Sequence, residues 1–189
     1  MRPPRAQSRI PLLTAREEVG EEDRALFDAI AEGRGSVRGP FALLLYAPEL
    51  CQAVLDLSVY LREDDFVPAA TRELAVIATA RERDCPYVWA AHAPAARKEG
   101  VSDAVIEVVR DRGGLEGLTP QQRDVVELAR QVLRDHRVEQ ALFDRLVAEH
   151  TLPGLVELVA VIGHYVFVTT ILNACEVSPA PGAEALPLR

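Results

Sequence analysis

The last long apolar run restricts the fold of this chain more than any other stretch. Pro153 suits the first turn of a helix. From there to about Cys175, Leu155, Val156, Leu158, Val159, Ile162, Phe167 and Leu172 place apolar side chains nearly all round the helix. A helix without a polar face cannot lie on a surface. It must take a central place in a small domain or be covered by another subunit. His164 and Tyr165 interrupt it. A buried histidine is ordinarily a hydrogen-bonded core residue. The alternative is that His164 or Tyr165 lines a substrate pocket.

Helical spacing recurs upstream, and no alternation of period two marks a strand. Residues 1–22 are rich in proline and charge and read as an arm. Glu21 to Glu32 forms a helix with Leu26, Phe27 and Ile30 inward, and residues 33–40 a loop. Pro48 opens a helix presenting Leu50, Val54, Leu57 and Leu61, with Cys51 as a small buried hydrophobe and Asp64 and Asp65 at its exit. Pro68 opens the next, which carries Glu73. Ser102 caps another, and Thr119-Pro120-Gln121-Gln122 is a capping box with proline at the first helical position. Val138 to His150 is amphipathic. Residues 178–189 read as a loose tail. The expectation is an all-α bundle of six to eight helices, with one domain over residues 23–177.

The totals exclude several functions. With 189 residues and 49% hydrophobic content, the chain can bury a proper core. A net charge of −8 without a basic stripe argues against nucleic-acid binding. Three cysteines make no disulfide framework at this size and imply a reducing compartment, hence the cytoplasm. Met1 to Ile10 lacks the apolar run of a signal peptide. No uninterrupted apolar stretch reaches the roughly 18 residues of a membrane span, so no membrane partner is expected.

The chemistry concentrates between Arg72 and Gly100. Cys85 precedes Pro86 and so sits at a helix N-terminus, where the partial positive charge favours a thiolate and should lower the thiol pKa. Val88, Trp89 and His92 follow at i+3, i+4 and i+7 and share its face. Glu73 lies on the preceding helix, where pairing with a nearby arginine competes with a functional role. Together Glu73, Cys85 and His92 can form a proton relay. Arg72 or Arg81 could hold a substrate carboxylate, and Trp89 could line the pocket. Zinc on Cys85, His92 and Glu73 is disfavoured. Seven residues of helix separate thiol from imidazole by about 10 Å at roughly 1.5 Å per residue. No metal and no cofactor is expected.

The spacing of Glu73, Cys85, position 88 and His92 resembles the Glu-x11-Cys-x2-Cys-x3-His motif of alkylhydroperoxidase D, of the carboxymuconolactone decarboxylase superfamily. The resemblance extends over roughly residues 38–177, through GPFALLLYAPEL upstream and LVELVAVIGHYVFVTTILNACEV downstream. It implies an alkylhydroperoxidase D-like helical bundle, a small-molecule substrate and a homo-oligomer, whether dimer, trimer or hexamer. The departure is Val88, where the motif has its second cysteine. Without that resolving thiol the two-cysteine peroxidase cycle is excluded. Three alternatives remain. One is a decarboxylase-like lyase using Glu73 and His92 for proton transfer. Another is a one-cysteine thiol peroxidase regenerated by an external thiol, or by Cys51 or Cys175. The third is a binding or assembly module that has lost activity.

Overall fold

The computed structural model describes residues 8–63 and 66–188. Residues 1–7 of the expected arm, and Asp64 and Asp65 at the expected helix exit, lie outside them. Eight α-helices and no strand occur among the described residues: α1 (Arg24–Arg34), α2 (Pro40–Leu44), α3 (Pro48–Glu63), α4 (Ala69–Glu82), α5 (Pro86–Lys98), α6 (Asp103–Arg110), α7 (Pro120–Arg134) and α8 (Gln140–Ala174). The all-α expectation therefore holds. The chain divides into two compact units. Of the described residues, the first comprises 8–63 and 170–178, the second 66–169 and 179–188.

In the first unit, α1 buries Phe27 and Ile30 as expected. Residues 8–23 include two short 3-10 turns and are tied down by backbone bonds, Leu13 N–H to Ala42 C=O (3.0 Å) and Arg9 N–H to Cys175 C=O (2.8 Å). Helix α3 differs from the expected orientation. Val54 and Leu61 are buried, with Cys51 and Leu55, whereas Leu50 and Leu57 are exposed. Apolar residues cover more than half of this helix, so spacing alone allowed two inward faces. Burial pushes the Cys51 thiol up to about 11.

In the second unit the central helix is α4. Every residue from Leu74 to Arg81 is buried, and α5, α6 and α7 pack against it. Ala75, Ala78 and Ala80 let these neighbours approach closely. Glu82, at the end of α4, collects arginines from elsewhere in the unit. Arg134 Nε lies 2.7 Å from Glu82 Oε2, and Arg112 and Arg130 each place Nε 3.9 Å from Oε1. Arg81 is only 2% exposed. It donates to the Pro187 carbonyl at 2.6 Å. The expectation of a loose tail is corrected here: Leu186 is buried, and Glu184 pairs with Arg97 at 3.0 Å. One apolar side chain and two arginine contacts suffice to fix the segment, and neither can be read from its Pro- and Ala-rich composition.

Helix α8 is two helices joined at a kink. Thr151 (φ 64°, ψ 171°) breaks it between the two segments that the sequence separates. By length and composition alone α8 could cross a membrane, and 44% of its most apolar 18-residue window is buried. Leu155, Leu158, Val161 and Ile162 face the core.

Candidate active site

A tight reversal between α4 and α5 builds the site. Asp84 takes the left-handed conformation (φ 45°). Asp84 N–H returns to Arg81 C=O at 3.2 Å and Cys85 N–H to Ala80 C=O at 2.9 Å, the paired bonds that close a helix C-terminus. Cys85 then serves at once as the N-cap of α5, with Pro86 at the first helical position, as the sequence indicated. The two helices therefore run back alongside each other, which brings His92 on α5 to Glu73 on α4.

The imidazole is held at both nitrogens. His92 Nδ1 lies 2.8 Å from Glu73 Oε2, and His92 Nε2 lies 3.2 Å from the hydroxyl of Tyr165 on α8. An ionised carboxylate only accepts, so Nδ1 carries the proton and donates to Glu73. In the neutral ring, Nε2 is then an acceptor, and Tyr165 O–H donates to it. Carboxylate, imidazole and phenol form one hydrogen-bonded chain. Its members are partly shielded, with the side chains of His92 and Glu73 23% and 17% exposed. The Tyr165 ring stands edge-on to two imidazoles, His92 at 4.9 Å and His164 at 5.3 Å between centroids. His164 is buried.

Cys85 departs from the expected activation. Its side chain is fully buried. Burial pushes the thiol up, and the backbone N–H groups of Tyr87 and Val88, which favour a thiolate, offset this only in part. The helix-terminus effect invoked from sequence is present, but desolvation outweighs it. The chain of hydrogen bonds through His92 does not include the sulfur. All three cysteines are free thiols.

The remaining expected site residues separate into two groups. Tyr165 and His164 belong with the relay. Trp89 is fully buried, and its indole N–H has no hydrogen-bond partner among the described residues. Arg72 donates to the Val67 carbonyl at 3.5 Å, beside the start of α4, and Arg81 serves the Pro187 carbonyl. Neither arginine joins the relay. Among the described residues no cluster of three metal-ligating side chains occurs. A groove of about 270 Å³ elsewhere in the second unit is lined by Pro120, Asp124, Arg145 and His150 among others, and by none of the expected site residues. Sequence reasoning placed Tyr165 at the pocket and missed that it completes the relay. The available signal was the adjacent His164-Tyr165 pair in a mostly apolar helix.

This all-α scaffold has the alkylhydroperoxidase D-like fold. The chain is similar to a peroxidase-related protein from Ralstonia eutropha JMP134 with an alkylhydroperoxidase core (TM-score 0.76, 21% identity, 94% of this chain and 95% of that one). It is also similar to a peroxidase-related protein from Silicibacter sp. TM1040 (0.74, 18%, 97% and 97%). A third similar structure is the debrominase Bmp8 in complex with 2,3,4-tribromopyrrole (0.69, 13%, 92% and 94%). At these identities the likeness is one of fold. Among curated proteins none matches significantly. The model of the carboxymuconolactone decarboxylase family matches residues 48–131, which span Glu73, Cys85 and His92. Over residues 48–131 the chain is thus similar to the carboxymuconolactone decarboxylase family.

Proposed function

We propose that this protein is a cofactor-independent small-molecule lyase that works by proton transfer through Glu73, His92 and Tyr165, in the manner the family name suggests. The observation that carries this reading is the double engagement of His92 at 2.8 Å and 3.2 Å. The match of residues 48–131 to the carboxymuconolactone decarboxylase family supports a related enzyme or a peroxidase-like function. The position of Val88 and the buried, protonated Cys85 favour acid–base over thiol chemistry.

The chemistry follows from the chain of bonds. In loss of carbon dioxide from a carboxylated lactone, the carbon–carbon bond to the carboxylate breaks. The electron pair stays on the adjacent carbon as an enolate. Tyr165 gives its phenolic proton to that carbon and recovers one from His92 Nε2, the imidazole having first taken up from water the one proton that the reaction consumes. Glu73 stabilises the imidazolium and fixes its orientation, as the acidic member of a catalytic triad does. Positioned acid–base groups of this kind supply about 10²–10⁴-fold in rate. Arg72 is the nearest arginine in sequence to the carboxylate at 73. A cytoplasmic, homo-oligomeric enzyme is the setting.

The test compares Cys85→Ser with wild type on carboxylated lactones and on hydroperoxides. Retained lyase turnover in Cys85→Ser, with loss in Glu73→Gln, supports the proposal. Hydroperoxide consumption that disappears with Cys85→Ser, in a protein inert to lactone acids, overturns it in favour of a one-cysteine peroxidase. A wild type that turns over neither class but binds a small molecule tightly would make it a binding module.

A further inference from the structure

The end of α4 gathers more positive charge than the carboxylates beside it neutralise. Arg134 grips Glu82 in bidentate fashion through Nε and Nη2, so both carboxylate oxygens are taken. Arg112 and Arg130 each place Nε 3.9 Å from Oε1 of that carboxylate, too far for a hydrogen bond. Arg112 also meets Asp84 Oδ1 at 3.1 Å, but Asp84 is shared with Arg81 at 3.3 Å. Arg130 bonds a neutral acceptor alone. Its Nη1 and Nη2 both donate to the Gly113 carbonyl at 3.1 Å, and no carboxylate among the described residues hydrogen-bonds it. Glu127 acts on Arg130 from further off, being drawn to Arg145 at 3.4 Å. Four arginines, Arg81, Arg112, Arg130 and Arg134, thus share the two carboxylates of Glu82 and Asp84. The side chains of Arg112 and Arg130 are 15% and 16% exposed, so solvent screens them weakly. Burial and the neighbouring Arg134 hold the Arg130 guanidinium below its ordinary pKa, as befits a cation short of counter-charge.

We infer that Arg112, Arg130 and Arg134 form a binding site for a tetrahedral, doubly charged oxyanion: phosphate, free or at the end of a small ester. The counter-charge lacking is two units, close to what a phosphate carries near neutral pH. A lone carboxylate would leave half of it unmet. Arg112 and Arg130 both approach the same oxygen of Glu82, so their guanidinium groups are close enough to share one anion. Guanidinium forks match phosphate oxygens in pairs. Both groups are also held in place beforehand, Arg112 by the Arg81 carbonyl at 2.9 Å and Arg130 by Gly113, so binding orders little that is loose. Arg134, more exposed at 45%, keeps the edge of the cluster in solvent, where an anion enters. A clamp on α4 alone does not call for Arg130, because Arg134 already satisfies both oxygens of Glu82. The site is separate from the relay, since Glu82 lies roughly 13 Å along the α4 axis from Glu73.

Titration calorimetry and thermal unfolding in phosphate-free buffer test the site, using inorganic phosphate, glycerol 3-phosphate and sodium chloride at matched ionic strength. Inorganic phosphate should bind saturably, one per chain. At a hundredfold its dissociation constant it should raise Tm by roughly 5–11 °C, a shift that chloride does not reproduce. Arg130→Gln should weaken phosphate about tenfold or more, and Arg130→Lys, which keeps the charge but not the fork, should fall between. Without phosphate, Arg130→Gln should unfold within about 4 °C of wild type, because a lost bond to a carbonyl is offset by relieved crowding. Circular dichroism of both variants confirms that the helices persist. Glycerol 3-phosphate binding as tightly as phosphate supports a site for a phosphoryl group on a larger molecule; phosphate binding alone supports a site for the free anion. No saturable phosphate binding up to about 10 mM, an equal Tm shift with chloride, or unchanged phosphate affinity in Arg130→Gln would each overturn the proposal. So would an Arg130→Gln fall in Tm that is the same with and without phosphate, the mark of a purely structural arginine.

Discussion

Replacing Glu82 by Gln removes a carboxylate shared by Arg112, Arg130 and Arg134, leaving Arg112 its 3.1 Å contact with Asp84, and it should cost about 3 kcal/mol of folding free energy. The Glu82 side chain is 6% exposed. Breaking a buried ion pair leaves an uncompensated charge and costs roughly 3–5 kcal/mol. The low end applies because Arg134 is about half exposed and the other two keep backbone acceptors. Arg112 retains the Arg81 carbonyl at 2.9 Å and Arg130 the Gly113 carbonyl at 3.1 Å. Burial and the neighbouring Arg134 already hold the Arg130 guanidinium below its ordinary pKa, a sign that positive charge is crowded there. In a chain of this size each kcal/mol lowers Tm by about 2–4 °C, so the expected fall is roughly 6–12 °C. Thermal and urea unfolding followed by circular dichroism measure it, with the exposed Glu149→Gln as a control expected within about 0.5 kcal/mol of wild type. A loss below about 1 kcal/mol for Glu82→Gln would show that solvent screens the cluster as it does a surface pair, and the idea that it clamps α4 to α7 would be wrong.

Tyr165→Phe keeps the ring between its two imidazoles and removes only the hydroxyl. Turnover should fall about a hundredfold or more while stability changes by about 1 kcal/mol; an unchanged rate at normal stability would remove the phenol from the relay. Cys85 should alkylate slowly near neutral pH, and its rate should rise only above the pH range of an ordinary thiol near 8.5. Iodoacetamide labelling with mass-spectrometric site assignment reads this, and fast labelling at pH 7 would restore the thiolate. The same raised pKa makes a contribution to stability that is fully present below the unfolded thiol's pKa and is lost as pH rises through the folded one. Cys85→Ala should therefore flatten the alkaline limb of a urea-midpoint profile, and an identical limb would contradict the shift. Thr151→Gly should raise the unfolding free energy by about 1 kcal/mol and shift the urea midpoint upward, since a β-branched residue at φ 64° and ψ 171° is strained; a lower midpoint would show that Thr151 is not strained.

What could be read from sequence was local. Cys85 and Pro86 announced the start of α5, and Thr119 with Gln122 announced α7, because caps involve neighbours three residues apart. The pairing of Glu73 with His92 was also accessible, since both lie on adjacent helices joined by a short turn. Burial of Cys85 was not, because the favourable helix terminus is a local property while desolvation depends on everything packed around it. Tyr165 is 73 residues from His92, and only the assembled helices bring the hydroxyl to Nε2. Leu186 and the Arg81 contact of the tail are likewise tertiary facts, carried by a segment whose composition suggests none.

The two-sided hold on His92 also shapes what substitution can explore. A ring whose nitrogens are both committed offers no spare position, so a chain that loses the phenol at 165 gains little from keeping the carboxylate at 73. Those three positions should drift as a set among descendants of this fold, whereas Cys85, outside the chain of bonds, is free to be inherited or lost alone.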